Sequence, residues 1–267
     1  MSDTNGAETY DPDAEHFFPD ERLNEILETV LSDPEVEAYL QAQNVNPVDR
    51  KGYNDHGWKH VEIVRNRALQ LYDLLKKAGV QFNGATDQGL EEADEPVIIA
   101  LAATLHDIGH VVHRDDHTYY SIILAADVLD RLLEPFYDIK DRVKIKGEVL
   151  HAILCHHAAE EPLTAEAGVM RIADALDMER GRSRIPYEKG GRGINTISSQ
   201  AIERVELLEG DGKPVLVEIT MRNAAGVFQV DGLLKDKLEG SKLSDEVRIV
   251  AVNKSGTEDQ LVERIEL

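Results

Sequence analysis

Residues 97–105 read Val-Ile-Ile-Ala-Leu-Ala-Ala-Thr-Leu, and the next two residues are His106 and Asp107. A helix that is apolar around its whole circumference has no face for water, so it belongs at the centre of a helical bundle. A carboxylate at the end of such a helix is unfavourable unless a cation or hydrogen-bond donors compensate it. A divalent metal is the simplest compensation. The expectation is a mainly α domain built around a buried polar centre. At 267 residues with 42% hydrophobic composition, the chain suits one large domain, or one with a small appendage, and is too apolar for a disordered protein.

The flanking patterns fill in the bundle. Residues 1–20 are rich in Asp, Glu, Gly and Pro without an apolar period, and are expected to form a flexible acidic tail. Leu23, Ile26, Leu27, Val30 and Leu31 recur at helical spacing, and so do His60, Val64, Ala68, Leu71 and Leu75, a run that ends before Gly79. A polar, glycine-containing link from Asn83 to Glu95 leads into the central helix, with Pro96 suited to its first turn. Three further helices are expected at about Tyr119 to Leu133, Asp141 to His157 and Thr164 to Arg180. Short connections make residues 21–185 one helical domain.

Beyond that point the period changes. Val215, Val217, Ile219 and Met221 alternate with less apolar neighbours after the turn Gly210-Asp211-Gly212, which reads as a hairpin. A helical stretch from about Ala225 to Leu238 and strand-like runs at Val247 to Val252 and Leu261 to Leu267 complete a small α+β domain, residues 195–267, with a regulatory or dimerising role expected. The chain is expected to form a homodimer.

Charge narrows the partners. Asp and Glu number 51 against 29 Lys and Arg, a net charge of −22, which opposes DNA or anionic lipid as a partner. The longest apolar candidate, Pro96 to Leu105, is too short to span a membrane, and the Met1-Ser2-Asp3-Thr4 start lacks the order of a signal peptide, so a cytoplasmic location is expected. The single cysteine, Cys155, excludes an internal disulfide framework and reads as a core filler rather than a nucleophile.

Ten histidines are present, and all but His16 lie between His56 and His157. His60 sits on the buried stripe of its helix. His156 follows Ile153 by three and Val149 by seven, so it also points inward. Asp174 follows Met170 by four among Ile172, Ala173, Ala175 and Leu176, a second carboxylate in an apolar setting. So many polar groups on inner faces of successive helices point to a metal held by imidazole and carboxylate, a donor set suited to Mn, Fe, Co, Ni or Zn more than Ca. His56, four residues before His60, is equally a metal neighbour or a helix cap; His113 and His151 read as loop or supporting groups. Arg180, Arg182, Arg184, Lys189 and Arg192 gather just after Asp174 among glycines, in a chain short of basic residues, and are candidates for binding a substrate phosphate.

The strings Asp55-His56-Gly57-Trp58-Lys59-His60-Val61, Leu105-His106-Asp107-Ile108-Gly109-His110 and Ala173-Asp174-Ala175-Leu176-Asp177 resemble the HD superfamily of metal-dependent phosphohydrolases over about residues 50 to 185. The resemblance implies an HD-domain helical bundle in which His60, His106, Asp107 and Asp174 hold a divalent ion (Mn, Fe, Co, Ni, Zn or Mg). Where two ions are bound, His117, His156 and His157 stand in the positions of the added ligands. His110 occupies the place of a lysine found in many relatives and could donate a proton or contact phosphate. The Gly-Tyr-Pro string of the cyclic-dinucleotide branch is missing. The implied activity is hydrolysis of a nucleotide or other small phosphate ester, monoester or diester, by a metal-activated water, with Asp107 and His110 as the catalytic pair. Two alternatives stay open: an HD-type di-iron oxygenase, and a non-catalytic ligand sensor with a structural metal.

Overall fold

A computed structural model describes residues 20–51, 55–157, 159–179, 194–254 and 264–266. Helices α1 (Glu21–Leu31), α2 (Pro34–Ala42), α3 (Trp58–Lys77), α4 (Asn83–Thr86), α5 (Asp94–Leu105), α6 (His117–Leu132), α7 (Ile139–Cys155) and α8 (Ala165–Leu176) form the bundle. Several starts are written locally. Asp33 accepts from the amides of Glu35 and Val36 ahead of α2, Asp138 from Lys140 and Asp141 ahead of α7, and Thr164 from Ala167 ahead of α8.

Every residue of α5 is buried, and the helix packs against α1, α3, α7 and α8. Each fully buried Ile or Leu of that helix contributes about 1.5–3 kcal/mol, so α5 is the anchor about which the polar centre is built. The acidic residues of its first turn are buried and paired: Asp94 Oδ1 accepts from Arg22 Nη1 and the Tyr137 hydroxyl, both at 2.9 Å, and Glu95 Oε2 from Lys76 Nζ at 2.8 Å and the Tyr72 hydroxyl at 3.0 Å. Burial, then the Glu95 carboxylate, raises Tyr72 above its ordinary range. Helix α8 also stops at Leu176, short of the expected Arg180, because Asp177 leaves helical geometry at ψ 69°.

The C-terminal unit follows a short helix, α9 (Ile194–Ser199). Strands β1 (Ile202–Glu209), β2 (Val215–Met221), β3 (Val247–Asn253) and β4 (Arg264–Glu266) form a sheet in the order β1-β2-β3-β4. The β1–β2 hairpin is antiparallel, pairing Glu209 with Val215; β2 and β3 run parallel from Val215 opposite Val247; β4 is antiparallel to β3. The β2–β3 crossover carries the helical turns Ala224–Gly226, Val227–Gln229, Val230–Leu234 and Lys235–Glu239, which bury Val230, Leu234 and Leu238. The mainly α bundle with a small α+β unit is therefore as the sequence predicts.

Direct contacts tie the two parts together. Arg67 Nη1 and Gln70 Nε2 on α3 donate to the carbonyls of Val205 (3.0 Å) and Leu207 (3.1 Å) on β1, and Glu179 accepts from both Arg67 and the Val205 amide. On α8, a Cβ at Gly168 would fall 2.3 Å from the carbonyl of Ser241, so glycine is what lets the C-terminal unit lie this close. Among the described residues no helix is long and apolar enough to cross a membrane.

Candidate metal centre

Five helices and one turn deliver the polar groups. His60 comes from the first turn of α3, His106 and Asp107 from the end of α5, His110 from the 3-10 turn Ile108–Val111, His117 from the start of α6, His156 from the end of α7 and Asp174 from the last turn of α8. All are buried or nearly so. Gly109 makes part of this possible: a Cβ there would lie 2.1 Å from the His117 carbonyl and 2.5 Å from the Ser121 amide. With glycine in place, the Gly109 amide donates to Ser121 Oγ at 2.8 Å, which locks the His110 turn against α6. Asp107 itself adopts φ −105°, ψ 0°, the sparsely populated bridge region where active-site residues recur.

The Asp107 carboxylate divides the cluster in two. Oδ2 lies 3.4 Å from His60 Nε2 and 3.3 Å from His106 Nε2, and these two nitrogens lie 3.4 and 3.9 Å from Asp174 Oδ1. Oδ1 lies 3.3 Å from His117 Nε2 and 3.8 Å from His156 Nε2. The first set is His60, His106, Asp107 and Asp174; the second is Asp107, His117 and His156.

Tautomers decide what such sets can hold. Nδ1 of His106 faces the Ala103 carbonyl at 2.9 Å, that of His156 the Ile153 carbonyl at 2.6 Å, and that of His117 the Arg114 carbonyl at 3.0 Å, nearer than Arg114 Nη1 at 3.3 Å. His60 Nδ1 faces Asp177 Oδ2 at 2.6 Å. A carbonyl or carboxylate oxygen only accepts, so each Nδ1 carries a proton, which in the neutral ring leaves the lone pair on Nε2. Those lone pairs face one another, His60 to His106 at 3.2 Å and His117 to His156 at 3.3 Å, and all four face a carboxylate. Two convergences of lone pairs and anionic oxygens repel unless a cation sits within each. The residues present therefore fit a divalent ion in each set, and the Asp177–His60 contact is the carboxylate–imidazole pairing that orients a metal-ligating histidine.

The electrostatics agree. Burial alone would raise the Asp107 carboxyl, but the imidazoles of His106, His110 and His56 hold it well below the usual carboxylate range. Burial pushes His117 down to about 3 and carries His156 well below its ordinary value. Neutral rings at His117 and His156 beside an ionised Asp107 are protonation states that suit a metal.

Other expected residues fall differently. His110 is fully buried with its ring stacked on His117, centroids 4.1 Å apart; Nε2 lies 3.4 Å from Asp107 Oδ1, yet neither ring nitrogen makes a hydrogen bond among the described residues. His157 is not brought into either set: it is exposed, its ring edge-on to His117 at 5.9 Å between centroids. His56 does not cap α3, whose cap is Gly57; its Nδ1 lies 2.7 Å from Asp107 Oδ2, beside the cluster. His113 is exposed, and His151 accepts from the Leu163 amide at 3.0 Å, away from the cluster. The cluster Arg180, Arg182, Arg184, Lys189 and Arg192 lies outside the described residues. Three residues gain a place that sequence did not assign. Asp177 was signalled only by its position three residues after Asp174. Arg114 lines a cavity of about 370 Å³ beside His117, with Tyr119, His157 and Glu160. Lys237, from the C-terminal unit, donates to Asp174 Oδ2.

Residues 60–179, which begin at the first proposed ligand and run past Asp177, match the model of the HD domain. An uncharacterized protein of Methanocaldococcus jannaschii, MJ1020, is 39% identical over 226 residues, covering 85% of this chain and 87% of that protein. The chain belongs to the HD-domain family. A second relative, ribonuclease Y of Desulforamulus reducens, is 34% identical over 99 residues, 36% of this chain and 17% of that longer protein. HD domains are in general metal-dependent hydrolases, and four overlapping groups of this HD protein could hold a metal ion: His60, His106 and Asp174; His106, Asp107 and His156; Asp107, His110 and His117; and His56, His60 and Asp107.

Proposed function

We propose that this HD protein is a phosphohydrolase with a two-ion centre, acting on a nucleotide or another small phosphate ester. The observation that carries the reading is the pairing of facing Nε2 lone pairs on either side of Asp107, 3.2 and 3.3 Å apart. His60, His106, Asp107 and Asp174 would hold one ion; Asp107, His117 and His156 would hold the other, with Asp107 shared. When bound, divalent ions acidify water at neutral pH and polarise a phosphoryl oxygen.

The chain's own groups supply the rest. The cavity of about 370 Å³ opens beside His117 and lies in the size range of small-ligand sites. Arg114 on its wall presents a planar fork that matches phosphate, and Arg180, Arg182, Arg184, Lys189 and Arg192 are proposed as further phosphate contacts. His110, whose ring nitrogens make no hydrogen bond among the described residues, would pass a proton to the leaving oxygen. Burial of Asp107 and the imidazoles keeps competing water out of the centre. The relative named a ribonuclease supports a phosphodiester among the substrates, whereas the charge of −22 disfavours a long polyanion and favours a small one.

The test is phosphate release, without oxygen, from nucleotides and nitrophenyl mono- and diesters by protein loaded in turn with Mn, Fe, Co, Ni, Zn and Mg. Turnover with at least one ion, lost in Asp107→Ala, is expected. No turnover with any ion, or turnover only when oxygen is consumed, would overturn the reading.

A further inference from the structure

Asp174 offers its two oxygens to different partners. Oδ1 faces His60 and His106 on the metal side, while Oδ2 accepts from Lys237 Nζ. That lysine stands 63 positions along the chain, in the turn Lys235–Glu239 of the crossover between β2 and β3. The turn packs on α8, where Gly168 lets the backbone of Ser241 approach. Its neighbour Lys235 shows what a surface lysine on this helix does: it pairs with Asp231 at 3.5 Å, one turn back. Lys237 turns inward instead, to a carboxylate already committed to the metal centre.

Charge makes that placement informative. With a divalent ion in each set, those ions and the ammonium would outweigh the carboxylates of Asp107, Asp174 and Asp177 and leave an excess of positive charge. An anion is what balances it. The lysine side chain remains 18% exposed, and an ammonium has three N–H donors, of which Asp174 takes one. The C-terminal unit thus brings a cationic group to the edge of the metal centre.

We propose that Lys237 is a substrate-binding residue: Asp174 Oδ2 holds its ammonium in place, and a free N–H holds a phosphoryl oxygen of the substrate against the metal centre. The C-terminal unit then supplies part of the active site. This rests on the phosphohydrolase reading.

The experiment uses the full chain, loaded with Mn²⁺, as wild type, Lys237→Met, Lys237→Gln and Lys237→Arg. Mn²⁺ affinity and inorganic phosphate affinity are measured by calorimetry, and KM and kcat on an active ester. Loss of one charge-assisted hydrogen bond is expected to weaken phosphate binding and raise KM by about ten- to a hundredfold in the Met and Gln variants. Mn²⁺ stoichiometry should stay unchanged, and Lys237→Arg should recover most of the loss. Unchanged phosphate affinity in the Met and Gln variants, or Mn²⁺ affinity falling in step with it, would overturn the proposal. If wild-type protein bound Mn²⁺ and phosphate yet hydrolysed no ester, only the phosphohydrolase reading would fail. If it hydrolysed esters while the Met and Gln variants matched it, only the role of Lys237 would.

Discussion

Asp177→Asn isolates what one buried carboxylate does for one ligand. Asp177 is buried, and its Oδ2 lies 2.6 Å from His60 Nδ1. The ionised oxygen fixes the Nδ1–H tautomer and makes Nε2 a stronger donor to an ion. Asparagine keeps the size and removes the charge, and if it turns its amide NH₂ to Nδ1 it forces the proton onto Nε2, where a lone pair is needed. Loss of such a partner typically weakens metal affinity by about 10- to 100-fold, or about 1.4–2.7 kcal/mol. The effect should be unequal. His117 and His156 take their orientation from the carbonyls of Arg114 and Ile153, so the second set does not depend on Asp177. Calorimetric titration of metal-free protein with Mn²⁺ should show one of two binding events weakened by that factor and the other nearly unchanged. Two unaltered events, or equal weakening of both, would refute the reasoning.

Acid should destabilise the metal-free protein. His117 and His156 are depressed in the folded state from an ordinary value of 6.5, His117 to about 3, so below 6.5 the unfolded chain takes up protons that the folded chain does not. Their contribution is intact above 6.5 and is lost as the pH falls toward 3, at about 1.4 kcal/mol per pH unit for each group; a flat urea-unfolding free energy between pH 7.5 and 5 would contradict it. Gly109→Ala should cost about 3 kcal/mol or more, because its Cβ would lie 2.1 Å from the His117 carbonyl and the backbone must shift; an unchanged urea midpoint would show otherwise. Glu166→Ala should cost about 1–3 kcal/mol by chemical denaturation, since its oxygens accept from the amides of Gly84 (2.8 Å) and Asn83 (3.1 Å), and an unaltered midpoint would discount those bonds. His110→Gln should lower kcat with Mn²⁺ stoichiometry preserved, and loss of an ion would instead make His110 a ligand.

The parts of the molecule that were legible in sequence are those governed by local pattern. Helix α5 declares itself because nine consecutive positions, 97–105, leave it no wet side; His60, His156 and Asp174 follow from helical phase, His106 and Asp107 from their place at the end of α5, and His117 from the family resemblance alone. What escaped depends on distant partners. Asp94 and Glu95 look like part of a polar link until Arg22, Lys76, Tyr72 and Tyr137 are seen around them. Helix α8 ends early at Leu176, where Asp177 leaves helical geometry and meets the distant His60, and no period encodes that contact. His157 sits next to His156 in sequence, but the helix ends at Cys155 and sends the two rings apart, nearly perpendicular at 89°. Lys237 meets Asp174 only because the C-terminal unit docks on α8, a long-range event with no local signature.

The most direct measurement is anomalous X-ray diffraction at the manganese edge from crystals of the Mn²⁺-loaded protein. Two peaks are expected on either side of Asp107, one bounded by His60, His106 and Asp174 and the other by His117 and His156. A single peak, or none within reach of these imidazoles, would contradict the two-ion centre.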